Sequence, residues 1–272
     1  MKIKLYSSYD LFSHHVPEEG EDYIECFDDL FIKKVKVLNP EKSIALVHEP
    51  RPLQPNVYKY IEQHYNDYKY VFCHDSKLLA TLPNAKLVMW TKIWNCSFCN
   101  EEKDFEHPIS MVASWKEVSP IRIARKKLAY KLKNTIDTYG TFDGGEWVRP
   151  EVVYAKYPFS VVIENHIDDW WITEKICNCF VCNTIPIYWG GHKAAEVFNP
   201  DGIIFADGIE EIKEKVNYLL DKDNAKKEYE KRKDAIADNR ERVKQFDRFE
   251  NWFFRTYGDL LEEMVHGSNN NK

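Results

Sequence analysis

The stretch from Tyr157 to Gly191, YPFSVVIENHIDDWWITEKICNCFVCNTIPIYWGG, constrains the fold of this chain more than any other. Phe159 to Ile163 is an apolar run of strand length that ends at Glu164-Asn165. A loop with two acidic and two aromatic residues follows, Asp168-Asp169-Trp170-Trp171, and a helix opens at Thr173-Glu174-Lys175. A second apolar strand, Ile185 to Tyr188, ends at Gly190-Gly191. The order places an amide, a carboxylate and an ammonium beside one helix N-terminus. Open N–H groups and the helix dipole there favour an anion. A lysine in a first helical turn opposes that dipole, and a bound anion offsets the conflict. Glu174 can accept hydrogen bonds from sugar hydroxyls. The guest that suits such a strand–loop–helix is a nucleotide diphosphate carrying a sugar.

The rest of the chain repeats the strand–helix alternation. In the first half, strands are expected at residues 3–6, at Ile44 to Val47, at Tyr70 to Cys73 and at Lys86 to Trp90. Helices are expected from Val57 to His64 and from Ser76 to Thr81, the latter capped by Ser76. Short links between such units predict a parallel sheet, whose ligands sit beyond the carboxyl ends of its strands. Glu49, Asp75 and Trp90 fall at such ends. Asn95 to His107 is polar and without period, and reads as a linker. Beyond it come a strand at Ile109 to Ala113 and a basic helix at Pro120 to Lys133, with Ser119 as cap and Pro120 at its first position. A loop at Thr141 to Val148 precedes the central stretch. A helix from Lys193 to Val197, a strand from Ile203 to Phe205 and charged helices from Ile209 complete the pattern. The expected division is 1–105, 106–266 with C-terminal helices, and a disordered tail, 267–272.

The bulk properties exclude several classes. At 272 residues and 44% hydrophobic the chain forms one large domain or two small ones. A net charge of −6 argues against a nucleic-acid partner. No run of about 20 apolar residues is present, so no membrane span is expected. The opening MKIKLYSSYD lacks the apolar core of a signal peptide. The expected location is the cytoplasm, at most peripheral to a membrane. The seven cysteines, an odd count, fit thiols in a reducing compartment. Cys96-x-x-Cys99 has the spacing of half a zinc site, but with no second pair near it the thiols are expected to be structural. Asp168-Asp169 is an adjacent pair, not an Asp-x-Asp after a strand, so no metal site is expected. His166 and His192 read as surface or turn residues. The glycines at 190 and 191 are expected to let the chain pass close to the ligand. No G-x-G-x-x-G occurs, which disfavours a nicotinamide cofactor.

The Glu-Asn pair, the Thr-Glu-Lys helix start and Ile185-Pro186-Ile187-Tyr188-Trp189-Gly190 resemble the α1,3/4-fucosyltransferases, glycosyltransferase family 10, and its bacterial members above all. The resemblance is dense from Phe159 to Asp207, including Phe198-Asn199-Pro200. It implies an α/β fold of GT-B type: two Rossmann-like domains facing a central cleft, the first for the acceptor, the second for the donor. It implies an inverting transfer of fucose from GDP-fucose to a hydroxyl of an oligosaccharide or glycan acceptor, with an α1,3-type linkage. Ala113-Ser114 with Pro120-Ile121-Arg122 matches the family's phosphate-binding segment, which implies Arg122 as a donor ligand. Asn165, Trp171, Glu174 and Lys175 are implied as further donor ligands, although members usually carry Tyr or a similar aromatic where Trp171 stands. His48-Glu49-Pro50 falls at the family's catalytic turn, which implies Glu49 as general base, with Asp75 in reserve. No cofactor is required on this reading, and a divalent ion is at most stimulatory. The first half is shorter than the acceptor domain of many members. The same residues also fit a different nucleotide sugar, or a sugar-nucleotide-binding protein without catalysis.

Overall fold

A computed structural model describes residues 1–7, 9 and 11–266; the tail expected at 267–272 lies outside the described residues. The chain divides into two compact units, residues 1–90 with the segment from Arg248 onward, and Thr91–Asp247. This differs from the division expected at 105/106 at both ends. The segment 95–107 is not a tether but is fastened within the second unit. Trp94 exchanges two hydrogen bonds with the Asn178 side chain, at 3.2 and 3.0 Å. Lys103 donates to the carbonyls of Ala155 and Cys182, both at 2.7 Å, and Arg240 donates to Cys99 O at 2.7 Å. A polar sequence without period is compatible with a tether and with a bonded strap alike, and here its polar groups find partners.

The first unit is a parallel sheet of β1 (Lys2–Tyr6), β2 (Tyr23–Asp28), β3 (Ser43–Leu46), β4 (Tyr70–Cys73) and β5 (Ala85–Leu87), in the order 1-2-3-4-5. Only β2 had no counterpart in the sequence reading. Right-handed crossovers taken always in one direction leave every connection on one face. That face packs Ala45, Val47, Val71 and Cys73 under α1 (Pro55–His64) and α2 (Ser76–Thr81). Side chains alternate along a strand, so Phe72, between Val71 and Cys73, points the other way. It meets Phe253 and Tyr257, each at 4.9 Å, from the C-terminal helix Phe249–His266. Trp90 stacks on Phe249 at 4.8 Å. A sheet wound in one direction leaves one apolar face bare, and the last helix of the chain covers it. The cap of α2 is Asp75, which accepts from Leu78 N at 2.8 Å, and not Ser76.

The second unit contains β6 (Ile109–Val112), β7 (Asp137–Tyr139), β8 (Phe159–Ile163), β9 (Ile185–Trp189) and β10 (Ile204–Phe205), again all parallel. Their order is β7-β6-β8-β9-β10. From β6 the chain builds first to one side and then to the other, so the order reverses between β6 and β8. The helices are α3 (Pro120–Leu132), α4 (Pro150–Tyr154), α5 (Glu174–Val181), α6 (Ala194–Val197), α7 (Ile209–Leu219) and α8 (Lys222–Arg242). Six of the eight residues of α5 are buried, Ile176 through Val181, which explains its apolar, cysteine-rich sequence. Among the described residues no helix is long and apolar enough to cross a membrane.

Candidate functional site

In an open parallel sheet the strands on either side of a reversal send their connections to opposite faces, and a crevice opens at their carboxyl ends. The second unit has a cavity of about 370 Å³ there. Ala113 and Ser114 enter it from the end of β6, Gly140 and Thr141 from β7, Ile163 and Asn165 from β8. Gly140 has φ +97°, and a Cβ on it would lie 2.3 Å from Ala113 O, so only glycine lets the two strand ends approach this closely.

Two helix starts supply the charge. Ser119 caps α3 as expected, accepting from Arg122 N at 3.4 Å, and its hydroxyl donates to Asn165 O at 3.2 Å. That bond ties the start of α3 to the end of β8. Arg122 lines the cavity from the first turn, and Arg125 from the next. Arg125, which the sequence reading did not single out, is buried and donates to Ile163 O at 2.9 Å. Burial, and then the neighbouring Arg122, push its pKa down to about 10. Glu174 and Lys175 reach the cavity from the start of α5. Four cations, Lys116, Arg122, Arg125 and Lys175, thus face one carboxylate, Glu174, on the cavity wall.

Behind that wall lies Glu164, fully buried. Its carboxylate accepts from Thr173 N at 3.1 Å, from Thr173 Oγ1 at 2.8 Å and from the Tyr188 hydroxyl at 3.4 Å. Lys175 Nζ lies 3.3 Å from it, 2.9 Å from Glu174 Oε1 and 2.9 Å from Thr173 Oγ1. Burial works against the Lys175 ammonium, but Glu164 and Glu174 outweigh it and raise the pKa. Burial likewise opposes the Glu174 carboxylate, and the charge and hydrogen bond of Lys175 reverse this and bring it down to about 2. Because Thr173 is turned toward Glu164, its side chain caps none of the first N–H groups of α5. The helix start therefore keeps its anion-binding capacity. The sequence reading gave Glu164 no role in the site: it stands there as a strand end and as half of the Glu-Asn pair.

The cavity brings together Arg122, Asn165, Glu174 and Lys175, but not Trp171, which is buried and absent from the lining. The loop turns the Trp171 indole inward, and Trp94 and Trp147 are the aromatic side chains on the cavity wall. A Cβ on Gly190 would strike the Tyr188 ring at 2.3 Å and Glu164 Cγ at 2.7 Å, so Gly190 serves the packing over Glu164. Asp168 closes a local turn onto Trp170 N at 3.3 Å. Cys179 and Cys182, which the sequence places on a helix, are spaced as a second Cys-x-x-Cys, and Cys182 Sγ lies 3.7 Å from Cys96 Sγ. Among the described residues, no three His, Cys, Asp or Glu side chains are arranged to hold a metal ion.

The first unit carries Glu49. The last ladder bond of its strand is Val47 N to Phe72 O at 2.8 Å, after which the chain leaves the sheet. Glu49 is half-buried and followed by the buried Pro50. Its carbonyl accepts from the Tyr58 hydroxyl at 2.9 Å. Arg51, next in line, grips Asp75 through two bonds of 2.8 and 3.0 Å and Glu62 through one of 2.9 Å. Asp75, the reserve base, is thus committed to Arg51 and to the cap of α2. Although burial opposes its charge, these bonds hold its pKa below the ordinary value.

The model of Glycosyltransferase family 10 (fucosyltransferase) C-term matches residues 86–250. An α-(1,3)-fucosyltransferase, FucT, of Helicobacter pylori is 28% identical over 134 residues, which are 46% of this chain and 27% of that protein. This chain therefore spans roughly a quarter of the length of that relative. Among solved structures, an α1,3-fucosyltransferase with GDP superposes with a TM-score of 0.57 at 14% identity, covering 94% of this chain and 83% of the other. The α1,3-fucosyltransferase with GDP-fucose gives 0.55 at 14% identity, over 94% and 81%. TarM gives 0.58 at 9% identity, over 88% and 54%. At such identities the likeness is one of fold, the α/β GT-B type with two parallel sheets. With residues 86–250 inside the family match, the chain belongs to glycosyltransferase family 10, the fucosyltransferases.

Proposed function

We propose that this chain transfers fucose from GDP-fucose to a hydroxyl of a glycan acceptor, with inversion and an α1,3-type linkage, and that Glu49 is the general base. The observation that carries the donor half is the convergence of Arg122, Arg125 and Lys175 with an open helix start on one cavity, inside the family-matched span. The names of the relatives, which concern α1,3 transfer, GDP and GDP-fucose, support the sugar and the nucleotide. The base lies outside the matched span, and its support is its place beyond a parallel strand end in the first unit.

The diphosphate takes the cationic wall. Arg122 and Arg125 offer planar donors to phosphate oxygens, and Lys175, kept charged by Glu164 and Glu174, offers a point charge. Glu174, held ionised, accepts from a ribose or sugar hydroxyl, and the Asn165 amide bonds the donor beside it. Trp94 and Trp147 give a flat apolar surface for the base. As the bond to the anomeric carbon breaks, negative charge grows on GDP, where these donors are already aimed. Glu49 takes the proton of the attacking hydroxyl. Because the protein's own cations face the leaving group, we expect no metal requirement, and at most stimulation by a divalent ion.

Thermal shift tests the donor and turnover tests the base. GDP and GDP-fucose are expected to raise the melting temperature more than UDP or UDP-sugars; stabilisation by UDP equal to that by GDP rejects the fucose donor. Glu49→Gln is expected to lower GDP release from GDP-fucose by about 10²-fold, the scale of general-base loss, with GDP affinity unchanged. Donor binding without any GDP release, with a broad oligosaccharide panel present, leaves a sugar-nucleotide-binding protein instead.

A further inference from the structure

We infer that Asp29 is the positioning residue of the proposed base: its carboxylate takes up the two consecutive backbone N–H groups of His48 and Glu49 and fixes the segment that presents the Glu49 side chain. The inference rests on Glu49 being the base. His48 N donates to Asp29 Oδ1 at 2.9 Å, and Glu49 N donates to Asp29 Oδ2. Neither amide can join the sheet, because the ladder between β3 and β4 closes at Val47. Two half-buried amides leaving a strand need partners, and one carboxylate satisfies both.

Asp29 is placed for this by the register of the sheet. Asp28 is paired with Leu46, so the residue after Asp28 stands beside the chain as it leaves β3. Asp29 is 5% exposed, and burying a carboxylate there has a cost. Burial lifts its pKa to about 7, Asp28 and Glu49 push the same way, and the two amides are what hold it down. Its hydrogen bonds go to the residue before the base and to the base itself, so it holds this segment in place before any acceptor binds. The other restraints point the same way. Tyr58 holds the Glu49 carbonyl, Pro50 removes the next N–H, and Arg51 is pinned to Asp75 and Glu62. The His48 ring lies between Tyr9, at 4.6 Å, and Trp90, at 4.0 Å. Asp28 does different work, accepting from Leu30 N and from the Ser7 hydroxyl.

The test combines amide exchange with kinetics. In the unmodified protein, the His48 and Glu49 amides are expected to exchange at least about 10²-fold slower than an open loop, although they lie outside any strand. Exchange at the open-loop rate overturns the inference, whether or not any variant folds. In GDP release from GDP-fucose, with a panel of soluble oligosaccharides as acceptors, Asp29→Asn is expected to lower kcat by about 10-fold or more, the scale of a displaced catalytic group. Donor KM and GDP affinity are expected to stay within about twofold, since the donor ligands belong to the other unit. On a Glu49→Gln background Asp29→Asn is expected to add no further loss, because both act through one group. If Glu49→Gln stops turnover while a folded Asp29→Asn keeps a normal kcat, the positioning role is wrong and the base stands. If Glu49→Gln itself turns over normally, it is the base assignment that fails.

Discussion

On the proposed function Lys175 serves both stability and donor binding, and Lys175→Met with and without Glu164→Gln is expected to separate the two. Its ammonium stands 3.3 Å from the fully buried Glu164 and 2.9 Å from Glu174. At an effective dielectric of about 20, the pair with Glu164 alone has a Coulomb energy of about 5 kcal/mol before desolvation is subtracted. Removing one member of a buried pair typically costs about 3–5 kcal/mol, because the other charge is left uncompensated. Met keeps the apolar stem, so little packing is lost. For a unit the size of residues 91–247, a loss of about 3 kcal/mol lowers the melting temperature by about 6–12 °C. Neutralising the partner restores this: Lys175→Met with Glu164→Gln is expected to regain most of the stability. It is not expected to regain GDP affinity. Loss of a charged hydrogen-bond partner to the diphosphate weakens GDP by about 1.5–3 kcal/mol, roughly 10- to 150-fold. Denaturant unfolding and calorimetric titration with GDP measure the two quantities independently. A single variant that melts within about 2 °C of the parent refutes the buried-pair argument. A GDP affinity within about twofold of the parent refutes the placement of the diphosphate.

Three further outcomes are expected. Arg122→Ala and Arg125→Met should each weaken GDP by about 10-fold or more as charged donors are lost; a normal affinity in Arg125→Met makes that guanidinium a strut for Ile163 only. Asp29 has its folded-state pKa raised from the ordinary 3.8 to about 7. The folded state thus holds its proton more tightly, so the associated stability is present below pH 4 and disappears as pH rises through 7. Across that window, a shift of about 3 units corresponds to about 4 kcal/mol. The pH slope of unfolding free energy between those limits should therefore flatten in Asp29→Asn, and an unchanged slope contradicts the burial argument. Finally, GDP release from GDP-fucose is expected to survive EDTA; complete loss that added Mg²⁺ or Mn²⁺ reverses would show that the protein's cations do not suffice.

The parts of this molecule that were legible in the residues share one property: their physics is local. Tyr70–Cys73 and Phe159–Ile163 are compact apolar runs bounded by polar residues, and the structure has them at the same limits. Ser119-Pro120 announces a helix start by cap and φ preference, and α3 begins there. β2 was missed because Tyr23–Asp28 mixes Glu25 and Asp28 with its apolar residues and follows an acidic stretch, so neither alternation nor a clean apolar run marks it. β7, Asp137–Tyr139, is too short to carry a period. The cap of α2 went to Asp75 and not Ser76 because both residues suit a cap and only the backbone path chooses.

What the sequence by itself determined is most of the strand–helix order and the helix start at Glu174-Lys175, and its family resemblance pointed to the set Arg122, Asn165, Glu174 and Lys175 that lines one cavity. What only the tertiary structure decided are relations between distant residues. No pattern near Arg125 shows that its guanidinium is buried under Ile163, or that Glu164 lies behind Lys175 as a counter-charge. Asp29 is joined to Glu49 by sheet register across 20 positions, and the last helix returns to the first unit because a sheet wound in one direction leaves a bare face. Caps, turns and helix dipoles act over one or two turns of chain and leave their mark in adjacent residues. Burial and charge pairing depend on which segments the sheet brings side by side, and the stability of those contacts is shared by residues that carry no local sign of it.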